Sequence, residues 1–312
     1  MVTSSGGNGL WRVFGCSVRG AAHIRSQTPN QDAIGWCTGP EAGLPILLAV
    51  SDGHGSPRSF RSDVGAALAV DATLAAFTRF LEFLPAGCDS ATLNAEARGF
   101  LPREVEYQWK RRVLDHLTLH PFSETETETL YVHRLEGPES PDRLNPFLAY
   151  GATALGVLLT DQALVQLQLG DGDLLNVSAS GEVVRPLPSD ERLLGNETTS
   201  LCNTHAARDM RLTVTPLPGE APHLILVSTD GYANSFRDDA AFLRIGPDIL
   251  EFLRTDGPRN VQDNLQGWLE EASRDGSGDD ITLGILYRGP AEDRTAAEEQ
   301  APRSEATRIP AL

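Results

Sequence analysis

Apolar positions along the chain fall into two patterns. Short continuous runs bounded by Gly, Pro and Asp occur at Trp11–Val18, Pro45–Val50, Ala152–Leu159, Ala163–Leu169, Leu174–Val177, His223–Ser228 and Ile281–Tyr287. They predict strands, and the uninterrupted ones predict strands buried on both faces. Other stretches predict helices. Val64–Phe83 is rich in Ala and Leu with no Gly or Pro after Gly65, and Glu104–Leu119 carries Val105, Trp109, Val113 and Leu117 at near four-residue spacing. Ala240–Leu253 and Val261–Arg274 read as a helix pair broken near Gly257–Pro258. Strands cluster with strands and helices with helices, which argues for an α+β layered fold with mainly antiparallel pairing.

Between the patterned segments lie weaker ones. Residues 120–147 read as irregular, and the Glu/Thr alternation at 124–129 as a solvated stretch. The segment 88–147 therefore stands out as the longest irregular part of the core, an insertion and the expected partner-facing surface. Residues 1–9 and 289–312 hold too little apolar surface to order and are expected to be disordered ends. That leaves 10–288 as one domain, with no internal repeat and no linker dividing it.

Composition narrows the function. With 312 residues, 40% of them hydrophobic, the chain can form a large packed core. A formal net charge of −17 repels nucleic acid and anionic membranes and attracts divalent cations. Of 26 basic residues only Lys110 is a lysine, so a phosphate clamp here would be a guanidinium fork. Cys16, Cys37, Cys88 and Cys202 are scattered without a C-x-x-C, arguing against structural zinc and a disulfide framework. No signal-peptide pattern opens the sequence, and no run reaches the roughly 18 to 20 apolar residues of a bilayer span. The expectation is a cytoplasmic protein.

The chemistry lies in aspartates that follow apolar runs. LLAVSDGHG carries Asp52, Gly53 and His54; LVQLQLGDGD carries Asp171 and Asp173; LILVSTDG carries Asp230. Asp279 and Asp280 stand just before ITLGILY, and Asp32 sits in TPNQDAIGW. Asp-Gly alone is an ordinary turn pair, and Asp256–Gly257 and Asp275–Gly276 read as turns only. Strand ends meeting at one rim, however, bring their terminal carboxylates into one pocket, where they repel unless cations lie between them. Oxygen donors without a Cys or His cluster select Mg²⁺ or Mn²⁺. Phosphate-binding P-loop, dinucleotide-binding, zinc-protease and nucleophile-elbow patterns are absent.

The ordered set SVRGAAHIRSQTPNQDA, AVSDGHGSPRSFRSDVGAA, YGATALGVLLTD, QLGDGDLL, GNETTSL, VSTDG and DDITLGIL resembles the PP2C-type (PPM) metal-dependent serine/threonine phosphatases, in particular a bacterial branch. The set covers residues 15–288; single motifs are weak, but their order is specific. The resemblance implies a four-layer α-β-β-α sandwich, two mainly antiparallel sheets with helices outside. It implies two Mn²⁺ or Mg²⁺ ions bridged by Asp52, with the Gly53 carbonyl completing one shell. Asp32 would act mainly through water on the first ion, Asp230 and Asp279 would hold the second, and Asp171 would hold a third, weaker one. Asp280 is the alternative to Asp279. The family often places a phosphate-clamping arginine about five residues before the first aspartate; here Gln27 occupies that place. Arg25 is the nearest candidate, and Arg19 is the second. Gly172 stands where better-known members have serine.

The implied reaction is attack on phosphoserine or phosphothreonine by a hydroxide bridging two ions roughly 4 Å apart. His54 would protonate the leaving alkoxide, and His23 would be structural or support the ligands. A phosphoprotein is the expected substrate, a serine/threonine kinase or a kinase target, with the chain acting as a monomer. Two other readings stand beside it: a catalytically weak phosphate- or partner-binding module of the same fold, and a small-molecule phosphohydrolase.

Overall fold

The structure, a computed structural model, describes residues 10–40, 43–85, 87–134, 145–188, 199–217, 219 and 221–289. The expected disordered ends lie outside the described residues, apart from Gly289, and so does most of GNETTSL.

Two five-stranded sheets face one another, and every strand pairing among the described residues is antiparallel. The first sheet contains β1 (Leu10–Val18), β6 (Asp173–Val177), β7 (Val183–Val184), β9 (Leu224–Ser228) and β10 (Ile281–Gly289), in the order β1-β10-β9-β6-β7. The second contains β2 (Asp32–Thr38), β3 (Ile46–Asp52), β4 (Ala154–Leu159), β5 (Ala163–Leu169) and β8 (Arg211–Pro216), in that order.

The continuous apolar runs are the strands buried on both faces. In β3, Ile46, Leu48 and Val50 enter the layer between the sheets while Leu47 faces the helices. In β9, Ile225 and Val227 enter that layer while Leu224 and Leu226 face the other helical layer. Period-two alternation thus builds three apolar layers from two sheets. Helices α2 (Ser62–Phe83) and α3 (Ser90–Leu119) cover the second sheet. α8 (Ile245–Thr255) and α9 (Gly257–Asp275) cover the first. The shorter helices are α1 (Ala21–Ser26), α4 (Glu124–Arg134), α5 (Ala206–Asp209), α6 (Asp230–Ala233) and α7 (Asp239–Leu243). This is the α-β-β-α sandwich that the family resemblance implies, and it agrees with the α+β layering read from the apolar pattern.

Several local expectations need correction. Residues 88–134 are mostly helical. α3 begins at Ser90, where Asp89 caps it by accepting from Thr92 N, and runs through Gly99 and Pro102. Its buried Leu93, Ala97, Leu101, Val105, Trp109 and Val113 hold it against α2 and outweigh the breakers, as tertiary packing commonly does. The Glu/Thr stretch is α4, opened by a reciprocal cap in which Glu126 N donates to Ser123 Oγ and Ser123 N donates to Glu126 Oε2. β2 and β8 were not expected as strands; both are sheet edges, and their mixed composition hides the apolar pattern. α2 has the length and apolar composition of a membrane span, contrary to expectation, but much of it is buried against β2, β3 and β4.

Because neighbouring strands alternate in direction, β1, β3, β5 and β9 end at the same rim where β2, β4, β6 and β10 begin. That rim carries every aspartate singled out above except the two turn residues. At the opposite end a cavity of about 390 Å³ opens beside Leu10, Trp11, Leu44, Leu217 and Arg288.

Candidate metal centre

Asp52 ends β3 and Asp32 begins β2, and the two are direct partners in the antiparallel register. Asp52 is fixed through its backbone: its N–H donates to Thr153 Oγ1 at 2.9 Å, and its carbonyl accepts from Thr153 N at 2.8 Å. Gly53 N donates to Gln31 O at 3.0 Å, and a Cβ at position 53 would stand 2.4 Å from Ser62 O. Only glycine lets the two loops close this tightly beside Asp52. Asp171 lies in the turn between β5 and β6 and is exposed. Asp230 begins α6 after β9, and Asn234 Nδ2 donates to its Oδ2 at 3.0 Å.

Carboxylate oxygens of Asp52, Asp171 and Asp230 lie within 4.8 Å of one another. Burial raises the Asp52 carboxyl well above the usual carboxylate range, and Asp32, Asp230 and Asp171 push it further. Burial likewise raises Asp230, opposed by its hydrogen bond with Asp52, while the charges of Asp171 and Asp279 act upward. Asp32 is raised well above the usual range by burial, against hydrogen bonds from Thr229 and Thr282. A divalent cation among these oxygens would remove the repulsion and favour the ionised forms. The donor set is oxygen only, so the residues fit Mg²⁺ or Mn²⁺.

The Asp279–Asp280 pair divides. Asp280 is buried; its Oδ1 accepts from Gly20 N at 2.6 Å and its Oδ2 from Gln31 N at 2.6 Å. His23 Nδ1 stands 2.9 Å from Asp280 Oδ2, without the alignment of a hydrogen bond, and His23 Nε2 stands 3.8 Å from Asp279 Oδ1. Asp279 is half exposed, and its charge acts on Asp230. Asp280 is thus taken up by backbone donors while Asp279 remains beside the other acids. Gly20 makes this approach possible, since a Cβ there would lie 2.4 Å from the Asp279 carbonyl carbon.

The remaining residues separate clearly. Burial lowers the His54 imidazole below its usual value, Asp171 raises it and Arg58 lowers it further. The His54 backbone N–H donates to Gly151 O at 3.0 Å. Arg25 lies exposed near the end of α1, and Arg19 Nη2 donates to His23 O at 3.0 Å. Asp173, the second acid of GDGD, is drawn away by Arg185 Nε at 2.7 Å, and Arg185 also pairs with Asp239. The sequence reading did not single out Thr229 and Thr282. Their positions inside STDG and DDIT, beside two selected acids, were the available signal.

The family model for protein phosphatase 2C matches residues 19–270. No curated protein sequence matches at a significant level. Among solved structures, the chain is similar to the catalytic domain of the serine/threonine phosphatase PstP in complex with two manganese ions, at 19% identity and a TM-score of 0.51, covering 89% of this chain and 98% of that one. It is similar to the Mycobacterium tuberculosis phosphatase PstP/Ppp at 17% identity and 0.51, covering 90% and 99%. It is also similar to Stp1 from Staphylococcus aureus at 15% identity and 0.51, covering 90% and 96%. At these identities the likeness concerns the fold.

Proposed function

The chain belongs to the protein phosphatase 2C family, and on that premise we propose that it is a metal-dependent phosphatase of phosphoserine and phosphothreonine in proteins. The observation that carries this reading is the convergence of Asp52, Asp171 and Asp230 at one rim, with Asp32 and Asp279 beside them.

Asp52, Asp230 and Asp279 would hold two Mn²⁺ or Mg²⁺ ions together with the Gly53 carbonyl, Asp32 would act on one of them through water, and Asp171 would serve a third, weaker ion. When bound, such ions acidify water to a nucleophile near neutral pH and offset charge on the phosphoryl oxygens. Arg25, exposed on the segment leading to Asp32, binds the substrate phosphate as a guanidinium fork. His54 gives its proton to the departing serine or threonine oxygen. Because burial lowers its pKa, the protonated form is the minority at neutral pH, and turnover by this route falls as pH rises. The substrate is a phosphoprotein, a kinase or a kinase target, met by a monomer in the cytoplasm; the helices α3 and α4 offer the partner-facing surface. A charge of −17 works against nucleic acid and anionic lipid as partners.

Phosphate release from a phosphothreonine peptide, titrated with Mn²⁺, tests the reading. Release is expected only with Mn²⁺ or Mg²⁺, with Arg25→Ala raising KM and His54→Ala lowering kcat. Mn²⁺ binding without release would favour the binding module. Release from nucleotide or sugar phosphates alone would favour the small-molecule enzyme.

A further inference from the structure

Asp32 is held by a closed circuit of hydrogen bonds through Asn30, Ser17 and Thr282. Asp32 N donates to Asn30 Oδ1 at 3.0 Å, which orients the Asn30 amide. Asn30 Nδ2 therefore faces Ser17 Oγ and donates to it at 2.9 Å. Ser17 Oγ lies 2.7 Å from Thr282 Oγ1, which in turn lies 2.8 Å from Asp32 Oδ2. A hydroxyl has one proton, and an ionised carboxylate only accepts. Thr282 Oγ1 is thus placed to donate to both Ser17 Oγ and Asp32 Oδ2, and its single proton serves Asp32 once the carboxylate is ionised beside a cation. The circuit returns to the residue where it began.

A second hydroxyl meets the same oxygen. Thr229 Oγ1 donates to Asp32 Oδ2 at 2.8 Å and accepts from Thr282 N at 3.0 Å, so its proton is also committed to Asp32. Ser17 and Thr282 belong to β1 and β10 of the first sheet and Thr229 directly follows β9 of that sheet, whereas Asp32 begins β2 in the second. The first sheet thus reaches across the rim and fixes a carboxylate of the second through one oxygen only. With Oδ2 occupied twice, Oδ1 is the oxygen left to act in the pocket shared with Asp52, whose strand pairs with that of Asp32.

We propose that Ser17, Asn30, Thr229 and Thr282 are positioning residues that fix Asp32 through Oδ2 and present Oδ1 to a divalent cation or its water. This rests on the reading of Asp32 as part of the metal centre. Each donor in the circuit is itself hydrogen-bonded, which strengthens the terminal bonds and leaves the carboxylate little freedom to rotate. Thr282 touches neither substrate nor ion; it acts through Asp32.

Isothermal calorimetry with Mn²⁺ on the full chain tests the proposal, alongside thermal melts without metal to establish that each variant folds. Thr282→Val keeps the shape and removes the hydroxyl; it should weaken Mn²⁺ binding about tenfold or more, the scale seen when a ligand's supporting hydrogen bond is lost. Thr282→Ser keeps the hydroxyl and should restore binding to within a few-fold of the parent. Ser17→Ala opens the circuit without touching Asp32 and should give a smaller loss; it carries the test if Thr282→Val does not fold. Wild-type Mn²⁺ affinity in Thr282→Val, or in Ser17→Ala when that variant carries the test, overturns the proposal, as does Thr282→Ser binding as weakly as Thr282→Val. Asp32→Ala separates the two levels of the argument: unchanged Mn²⁺ binding there would remove Asp32 from the metal centre, whereas weakened binding there with an intact Thr282→Val would sink the circuit alone.

Discussion

The rim carries two carboxylate groups built from the same residue type and surrounded differently. Asp52, Asp171 and Asp230 crowd together; Asp52 and Asp230 hydrogen-bond each other, and the side-chain amide of Asn234 donates to Asp230. Asp280 sits beside Asp279 and His23, but two backbone N–H groups meet its two oxygens at 2.6 Å each. In the first group, burial and like charge raise the carboxyl pKa values. In the second, the backbone supplies the positive ends of dipoles, and the anion closes the ends of the loop from Gly20 to Gln31. Acidic crowding with few donors asks for a cation; an acid whose oxygens are met by backbone donors serves the loop that supplies them.

The sharpest way to break this comparison is to neutralise one acid from each group. Asp52→Asn should lower turnover of a phosphopeptide at least about 10²-fold with Mn²⁺ present. In metal-free protein the same change removes a repelling charge, so its melting temperature should match or exceed the parent's. Near-parental turnover would remove Asp52 from the centre of the mechanism. Asp280→Ala should behave in the opposite way. Stripping buried N–H groups of a charged acceptor costs on the order of 3 kcal/mol, so denaturant melts should show a clear loss of stability with or without Mn²⁺. A variant as stable as the parent would mean that Asp280 does not staple the loop.

The smallest effect concerns pH. Asp52, Asp32 and Asp230 have folded-state pKa values raised above their unfolded ones. A raised carboxyl holds its proton longer when folded, so the native state binds more protons than the unfolded state over that interval. Stability is then greatest below the unfolded carboxylate range and falls as pH rises through the raised values. In chelator, the melting temperature should therefore drop as pH climbs from about 4 toward neutrality; Mn²⁺ should reverse the trend by binding the ionised form. A metal-free protein that grows more stable over the same interval would contradict the crowding.

Much of this architecture was legible along the chain. Apart from β1, a sheet edge in which only Phe14 and Val18 are buried, the apolar runs became strands because a strand covered on both faces must be apolar at nearly every position, whichever side each residue takes. β2 and β8 escaped notice because an edge strand is half solvated and its pattern is diluted by residues such as Trp36 and Thr213. The first part of α3, from Ser90 to Arg103, escaped because Gly99 and Pro102 are breakers by local rules, whereas Leu93, Ala97 and Leu101 are kept helical by packing on α2. For α4 the signal was present, since Ser123 and Glu126 have capping-box spacing, but alternating Glu and Thr drew the reading toward solvent.

By itself, then, the sequence determined residue chemistry and strand ends: which aspartates follow an apolar run, and that the donors are oxygen. These are local properties, set by a few neighbouring residues. What each acid faces was decided only by the tertiary structure. Asp279 and Asp280 are adjacent in sequence and equivalent in type, yet Gly20 and Gln31, 260 and 249 residues from Asp280, take one of them and leave the other beside Asp230. The same holds for Asp32, gripped by hydroxyls from the opposite sheet. Hydrogen bonds and charge act through space over a few ångströms, and the folded chain sets those distances.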